Sequence, residues 1–433
     1  MITLRVPGNY FKNIITLFTG ILLAQGIQIL LFLVLPRLYS PQSFGKLTLM
    51  LSVVSILSIM ASGKYEQAIV LPKRFQTGIS VLKITFLLAF VFCSLLMLIF
   101  LLFGQPLIIA LKLQLLADWF YVIPLMVLLN ILSVGLFFWF TRNREYRLIA
   151  KNKVSENVVF GVSAISMGLM KIPIGLVIAR FFGQISGVLL YVFKLHKKGE
   201  WGHFKSNNEP KLLKATAIRY KKFPKFSMFA GLFNTGAAEV PSFVINYFYG
   251  PLILGWWGFA NSVATVPLGV ISKSVGNVFN EQAAKDYVQF GSCRRVLLKT
   301  LLLLIGIGIV PFVILIFYAP QLFALIFGEE WRQAGKYVQI LSPNYFFQFI
   351  SNPVTSVLLI AERQEVDMLI EVFLLIGILS FMLVFGRFHS IELTLKAYTI
   401  IYSIYYLTIL FLSYYYSSRK DLAWSLKKTM ITS

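Results

Sequence analysis

The chain has 433 residues, of which 58% are hydrophobic and only 13% charged. An ordinary soluble domain carries about 25% charged residues, so this chain lacks the polar side chains to cover a water-soluble globule. Its 40 Lys and Arg against 17 Asp and Glu give a formal charge of +23. The basic residues sit in short segments between apolar blocks, which marks them as cytoplasmic loops of a membrane protein. A nucleic-acid partner is therefore not expected.

A helical crossing takes about 20 apolar residues. Such blocks recur at 12–36, 44–63, 80–104, 119–140, 154–171, 173–194, 225–249, 253–277, 296–319, 337–361, 366–386 and 393–416. Lipid offers no partner to a bare N–H or C=O, and the blocks lack the alternation of barrel strands, so each is expected to be helical. The first block is too long for the apolar core of a signal peptide and has no small-residue cleavage site, so it should remain as a span. Only Lys171-Ile172-Pro173 separates the fifth and sixth blocks, which leaves one long kinked hairpin as an alternative there.

One side of this arrangement collects most of the Lys and Arg. Examples are Arg5, Lys73, Arg74, Arg142, Arg144, Arg147, Arg294, Arg295 and Arg419. The other side has only Arg37, Lys46, Lys112, Lys171, Arg332, Lys336, Arg387 and Lys396. The richer side is cytoplasmic. Both termini then lie inside, as an even number of spans requires.

The expected class is an all-α integral membrane protein with about twelve transmembrane helices in two six-helix lobes. The boundaries are 1–194 for the first lobe, 195–224 for a basic cytoplasmic linker, 225–416 for the second lobe and 417–433 for a basic tail. Within the linker, Lys211-Leu212-Leu213-Lys214 through Lys222 mixes apolar and basic residues. It suits a helix on the inner leaflet or a solvated linker.

The two halves repeat. Tyr39-Ser40-Pro41 followed by Gly45 matches Tyr249-Gly250-Pro251 followed by Gly255, at a shift of 210 residues. The same shift carries Gly26 onto Gly236, Ser52 onto Ser262 and Val53 onto Val263. Six spans per half means that both halves enter the membrane the same way, as a parallel repeat related by an axis along the membrane normal. Two such bundles can rock about a shared cleft, which is a transporter's geometry rather than an enzyme's.

Polar residues inside the spans point to that cleft, because a charge at the bilayer centre costs about 2.5–3.5 kcal/mol on insertion scales. In the seventh span Thr235, Glu239, Ser242 and Asn246 share one helix face. In the eighth, Asn261, Thr265 and Ser272 form a stripe, with Lys273 nearby. Gln25 and Gln28 share a face in the first span, and Arg180 and Gln184 in the sixth. The candidate cavity residues are Arg180, Lys273, Glu239, Gln25, Gln28, Thr235, Asn246 and Asn261. Arg37, Lys64 and Glu66 sit at span ends and are candidates for the cavity mouth or for the membrane interface. The plainer alternative for the uncharged members is hydrogen bonding between helices, and Lys273 can snorkel to the interface. A direct pair between Glu239 and Arg180 is one arrangement open to them.

Nothing in the sequence suggests a catalytic constellation. His196, His203 and His389 lack metal-ligand spacing, Cys93 and Cys293 read as structural, and no phosphate-binding glycine loop is present. No cofactor or metal is expected. Arg and Lys in a cavity suit an anionic, phosphate-bearing substrate, while Gln, Asn and Tyr suit sugar hydroxyls.

Four segments carry a family resemblance. Leu35-Pro36-Arg37-Leu38-Tyr39-Ser40-Pro41-Gln42-Ser43-Phe44-Gly45 resembles the first outer loop of the Wzx-type polysaccharide and O-antigen flippases. These belong to the multidrug/oligosaccharidyl-lipid/polysaccharide (MOP) exporter superfamily. Lys64-Tyr65-Glu66-Gln67-Ala68-Ile69-Val70-Leu71-Pro72 is similar to the family's pattern at the inner end of the second span. Arg219-Tyr220-Lys221-Lys222-Phe223-Pro224-Lys225-Phe226-Ser227 resembles its approach to the seventh. Val278-Phe279-Asn280-Glu281-Gln282-Ala283-Ala284 resembles its exit from the eighth.

The resemblance implies two six-helix lobes forming a V, as in multidrug transporters of the superfamily, in a bacterial inner membrane. It implies a lipid-linked oligosaccharide as substrate, moved from the cytoplasmic to the outer leaflet. Membrane lipids are implied partners, with a polysaccharide polymerase and chain-length machinery as candidates. Family members often have a basic residue early in the eighth span where this chain has Asn261, which shifts the phosphate-binding expectation to Arg180 and Lys273. Two other readings remain. One is an ion-coupled small-molecule exporter, although the first span lacks that branch's carboxylate. The other is an integral-membrane polymerase or ligase, although the one large loop is basic and cytoplasmic.

Overall fold

The computed structural model describes residues 9–110, 112–199 and 210–418. Arg5, Lys205, His203 and the basic tail beyond 418 lie outside the described residues. The twelve predicted spans all fall on helix to within a few residues, and the all-α class holds. In chain order the helices are α1 (Asn9–Leu38), α2 (Pro41–Ser62), α3 (Phe75–Ala110), α4 (Ile123–Arg142), α5 (Tyr146–Leu169), α6 (Gly175–Lys197), α7 (Pro210–Arg219), α8 (Met228–Phe290), α9 (Arg294–Phe327), α10 (Arg332–Ser351), α11 (Ser356–Ile360), α12 (Gln364–Gly386) and α13 (Ile391–Tyr416). By contacts the chain forms two compact units, Met1–Gly255 and Trp256–Ser433. The seventh predicted span thus packs with the first unit.

Local chemistry sets the breaks. Ser40 is extended, and Pro41 opens α2 at the position where a missing N–H costs nothing. Gly63 closes α2 in the left-handed region, its N–H donating to the Ile59 carbonyl at 3.1 Å. Lys64 is also left-handed, and a 3-10 turn over Tyr65–Val70 leads into α3. In α3, Pro106 removes the bond that would reach back four residues, and the helix bends at Phe103. The long α8 is two helices joined at Gly250, whose φ of 81° and ψ of −177° suit glycine alone. Gly250 stands at the repeat position of Ser40, so both junctions separate spans at equivalent places. The fifth and sixth spans are two helices, α5 and α6, with Lys171 left-handed in the turn between them.

In the first unit α1 packs on α5 and α5 on α6, while α4 packs on α2, α3 and α6. Small residues allow the close approaches. Leu31 lies against Gly161, and Leu38 and Tyr39 lie against Gly168. The Tyr39 hydroxyl donates to the Ala164 carbonyl at 2.7 Å, fully buried. The repeat appears in the packing itself. A Cβ on Gly45 would overlap the Pro251 carbonyl oxygen, and a Cβ on Gly255 would overlap the Pro41 carbonyl oxygen. Two copies of one Pro-x3-Gly motif therefore pack reciprocally, backbone against backbone. The α7 segment packs on α3, and the Tyr65 hydroxyl donates to the Ala217 carbonyl at 3.1 Å. Burial pushes the Tyr65 phenol up, so it stays a neutral donor.

In the second unit α10 packs on α9 and α13, and α12 on α13. Phe259, Phe323, Phe327 and Trp331 form an aromatic cluster. The Cys293 N–H donates to the Ser417 carbonyl at 2.8 Å, tying the α8–α9 turn to the end of α13.

Candidate polar site in the first unit

Helix α2 is the most enclosed of the strongly apolar helices, with half of its apolar window buried against 17% for α3. Side chains on its inner face therefore meet protein rather than lipid. That face carries Ser52, Ser55, Ser58 and Ser62, spaced three, three and four residues apart, which keeps them on one stripe. Residues 228–249 of α8 run antiparallel to it. Lys64 lies against Gly231, and Ile59 is close by. Nearer the other end, Ser52 donates to Glu239 at 2.6 Å. Between these two contacts a cavity of ≈ 190 Å³ opens, lined by Ser55, Ser58, Ser62, Lys64, Glu66, Asn130 and Thr235, with Ile59, Ile131 and Val134. The Asn130 amide donates to the Ser58 hydroxyl at 2.9 Å. Glu66 is buried, and its Oε2 has no partner among the described residues. The site thus offers hydroxyls, one amide, one ammonium and one carboxylate inside an apolar bundle.

The predicted residues divide around this cavity. Thr235, Lys64 and Glu66 line it, and Glu239 sits one helical turn beyond Thr235 on the same face. Arg180 does not meet Glu239. Its Nη2 lies 3.5 Å from Oε1 of Glu156 on α5, while Lys153 donates to Oε2 of the same carboxylate at 3.1 Å. Asn246 is turned to structural use, donating to the Lys112 carbonyl at 3.0 Å. Gln25 and Gln28 are half-buried on α1, and Arg37 is exposed at its last turn.

In the second unit Asn261 accepts a hydrogen bond from the buried Tyr345 hydroxyl at 3.1 Å, and Lys273 is exposed. That unit has its own cavity of ≈ 250 Å³, lined almost wholly by apolar residues such as Val263, Leu268, Phe312 and Phe349.

Sequence reading missed the four serines, Asn130 and Glu156. The serine spacing in α2 was available as a signal. Lys151 and Lys153 place Asn152 in a loop ahead of the fifth predicted span, and Glu156, at that span's start, reads as part of the polar boundary. Among the described residues no cluster of His, Cys, Asp and Glu is arranged to hold a metal.

A family described as "polysaccharide biosynthesis protein" matches residues 34–336. The teichuronic acid biosynthesis protein TuaB of Bacillus subtilis (strain 168) is 24% identical over 226 residues, which is 51% of this chain and 44% of that protein. The chain thus matches less than half the length of this curated relative. Among solved structures, the lipid II flippase MurJ in an inward closed conformation superposes with a TM-score of 0.68 at 14% identity, covering 92% of this chain and 87% of that one. An inward-facing multidrug resistance MATE family transporter of the MOP superfamily gives 0.65 at 13% identity, with 96% of both chains covered. At these identities the likeness is one of fold.

Proposed function

Because the chain belongs to the polysaccharide biosynthesis protein family and has the fold of MOP-superfamily transporters, we propose that it is a flippase for a polyprenyl-diphosphate-linked oligosaccharide. On this reading it carries the headgroup from the cytoplasmic to the outer leaflet by alternating access, with both termini in the cytoplasm. The observation that carries the reading is the hydroxyl- and amide-lined cavity of ≈ 190 Å³ within the helices of the first unit.

The physical problem is desolvation. A hydroxyl moved into hydrocarbon without a partner costs roughly 2–7 kcal/mol, and an oligosaccharide has many. Ser55, Ser58, Ser62, Thr235 and Asn130 can each exchange hydrogen bonds with sugar hydroxyls, replacing lost water. Lys64 and Arg180 supply positive charge for the diphosphate. The prenyl chain stays in lipid and pays no such cost. Each step needs only binding and a change of access, so no bond is made or broken. Lys273, Asn261 and Asn246 belong to this proposal less directly, since Asn261 and Asn246 already hold hydrogen-bond partners.

The test is complementation in a bacterium lacking its own flippase for the matching glycan. Wild-type protein restores the surface glycan. Thr235→Trp, which fills the cavity, and Arg180→Gln, which removes one of the two charges, each lower surface glycan at least tenfold while membrane levels stay normal. Full surface glycan from the Thr235→Trp variant would contradict the role given to the cavity.

A further inference from the structure

Arg180 has an unusual environment. Taking 100° per residue, it lies roughly 180–220° around α6 from Phe182, Leu189 and Phe193, whose side chains are 43%, 61% and 69% exposed. Arg180 thus lies on the opposite face, the one that carries the buried Gln184, Gly187 and Tyr191, yet its side chain keeps 29% of its exposure. Its hold on Glu156 is loose, Nη2 standing 3.5 Å from Oε1, and its Nε is buried without a partner among the described residues. Glu156 itself is 5% exposed, and its other oxygen is held by Lys153. One carboxylate therefore answers two cations, and it keeps one of them if the other leaves. Gly187 allows this packing, since the Asn152 amide and Glu156 Oε2 lie against its missing side chain.

We propose that Glu156 is a displaceable counter-ion that holds Arg180 in the empty protein and releases it to the phosphate oxygens of an incoming substrate. The inference rests on the flippase reading and adds a residue to it. A phosphate presents several acceptor oxygens and suits the planar guanidinium better than one distant carboxylate oxygen. Release does not strand Glu156, because Lys153 remains on it. An unpaired half-buried arginine costs more than a paired one, so a standby partner steadies the site between cycles.

The experiment measures binding of farnesyl diphosphate to purified full-length protein in detergent, with phosphatidylglycerol as the competing source of phosphate oxygens. Arg180→Gln weakens farnesyl diphosphate binding at least tenfold. Glu156→Gln, which removes the competing anion, tightens it about three- to tenfold, and Glu156→Asp gives a smaller gain. The double variant Arg180→Gln/Glu156→Gln binds no more tightly than Arg180→Gln alone, because the gain acts only through Arg180.

Weaker binding by both Glu156 variants in monodisperse protein would overturn the proposal, since the pair would then act as a fixed unit. An equal Arg180 dependence for phosphatidylglycerol would overturn the assignment to a diphosphate. Normal farnesyl diphosphate binding by Arg180→Gln would overturn the proposal and leave the flippase reading standing. Absence of any binding by wild-type protein would remove both.

Discussion

The reciprocal contact of Gly45 and Gly255 gives a sharp test of the internal repeat. At Gly45 a methyl group meets the Pro251 carbonyl, and at Gly255 it meets the Pro41 carbonyl. A carbonyl in a helical turn cannot rotate aside as a side chain can, so the backbones must separate. Overpacking costs about 1–3 kcal/mol, and here the upper end applies. The better helix propensity of Ala returns about 1 kcal/mol. Gly45→Ala and Gly255→Ala should each destabilise the protein by about 2 kcal/mol. Gly26, in the same unit, has nothing within 4 Å of its missing Cβ, so Gly26→Ala should stabilise by up to about 1 kcal/mol. Equilibrium unfolding of detergent-purified protein would then place the variants about 3 kcal/mol apart, more than a hundredfold in the folded-to-unfolded ratio. The double variant should cost less than the sum of the two single variants, because the first methyl already spreads the shared contact. A Gly45→Ala protein as stable as Gly26→Ala would refute the reasoning.

Other outcomes follow from single contacts. Tyr39→Phe should cost about 1 kcal/mol by removing the buried bond to the Ala164 carbonyl, read as a lower unfolding midpoint. Glu239→Ala leaves the buried Ser52 hydroxyl without its acceptor and should cost about 1–3 kcal/mol. Glu239→Gln keeps an acceptor and should cost less than half as much in the same assay. Cys93 and Cys293 are both buried, and burial pushes the Cys293 thiol up to about 11. Intact protein at neutral pH should therefore resist maleimide labelling at both positions by mass spectrometry. A cysteine placed at the exposed Lys273 position should label readily.

The class and the spans were legible because apolar length and Lys/Arg placement are direct consequences of the bilayer. The repeat was legible because Pro and Gly mark positions with fixed backbone demands, and Tyr39-x-Pro41 and Tyr249-x-Pro251 fall at equivalent breaks. The site was legible only in part. Thr235, Lys64 and Glu66 reach one cavity because the face of α8 carrying Thr235 and Glu239 is opposed by α2. The partners on α2 escaped notice because serine is common within membrane helices and each alone carries little information. The Arg180–Glu156 pair was missed for a different reason. Its carboxylate sits among lysines near the start of α5, and only the packing of α5 on α6 turns it inward. Asn246 and Asn261 share faces with site residues yet are taken up by Lys112 and Tyr345, which helix periodicity cannot reveal.

The most direct test is a leaflet-accessibility assay in vesicles reconstituted with purified protein and a prenyl-diphosphate-linked oligosaccharide in one leaflet. A probe outside the vesicle, such as a lectin or a glycosidase, reports the arrival of the headgroup. The account predicts that wild-type protein brings the glycan to the probe and that Thr235→Trp slows its arrival at least tenfold. Arrival no faster than in protein-free vesicles, with the protein folded and inserted, would contradict it.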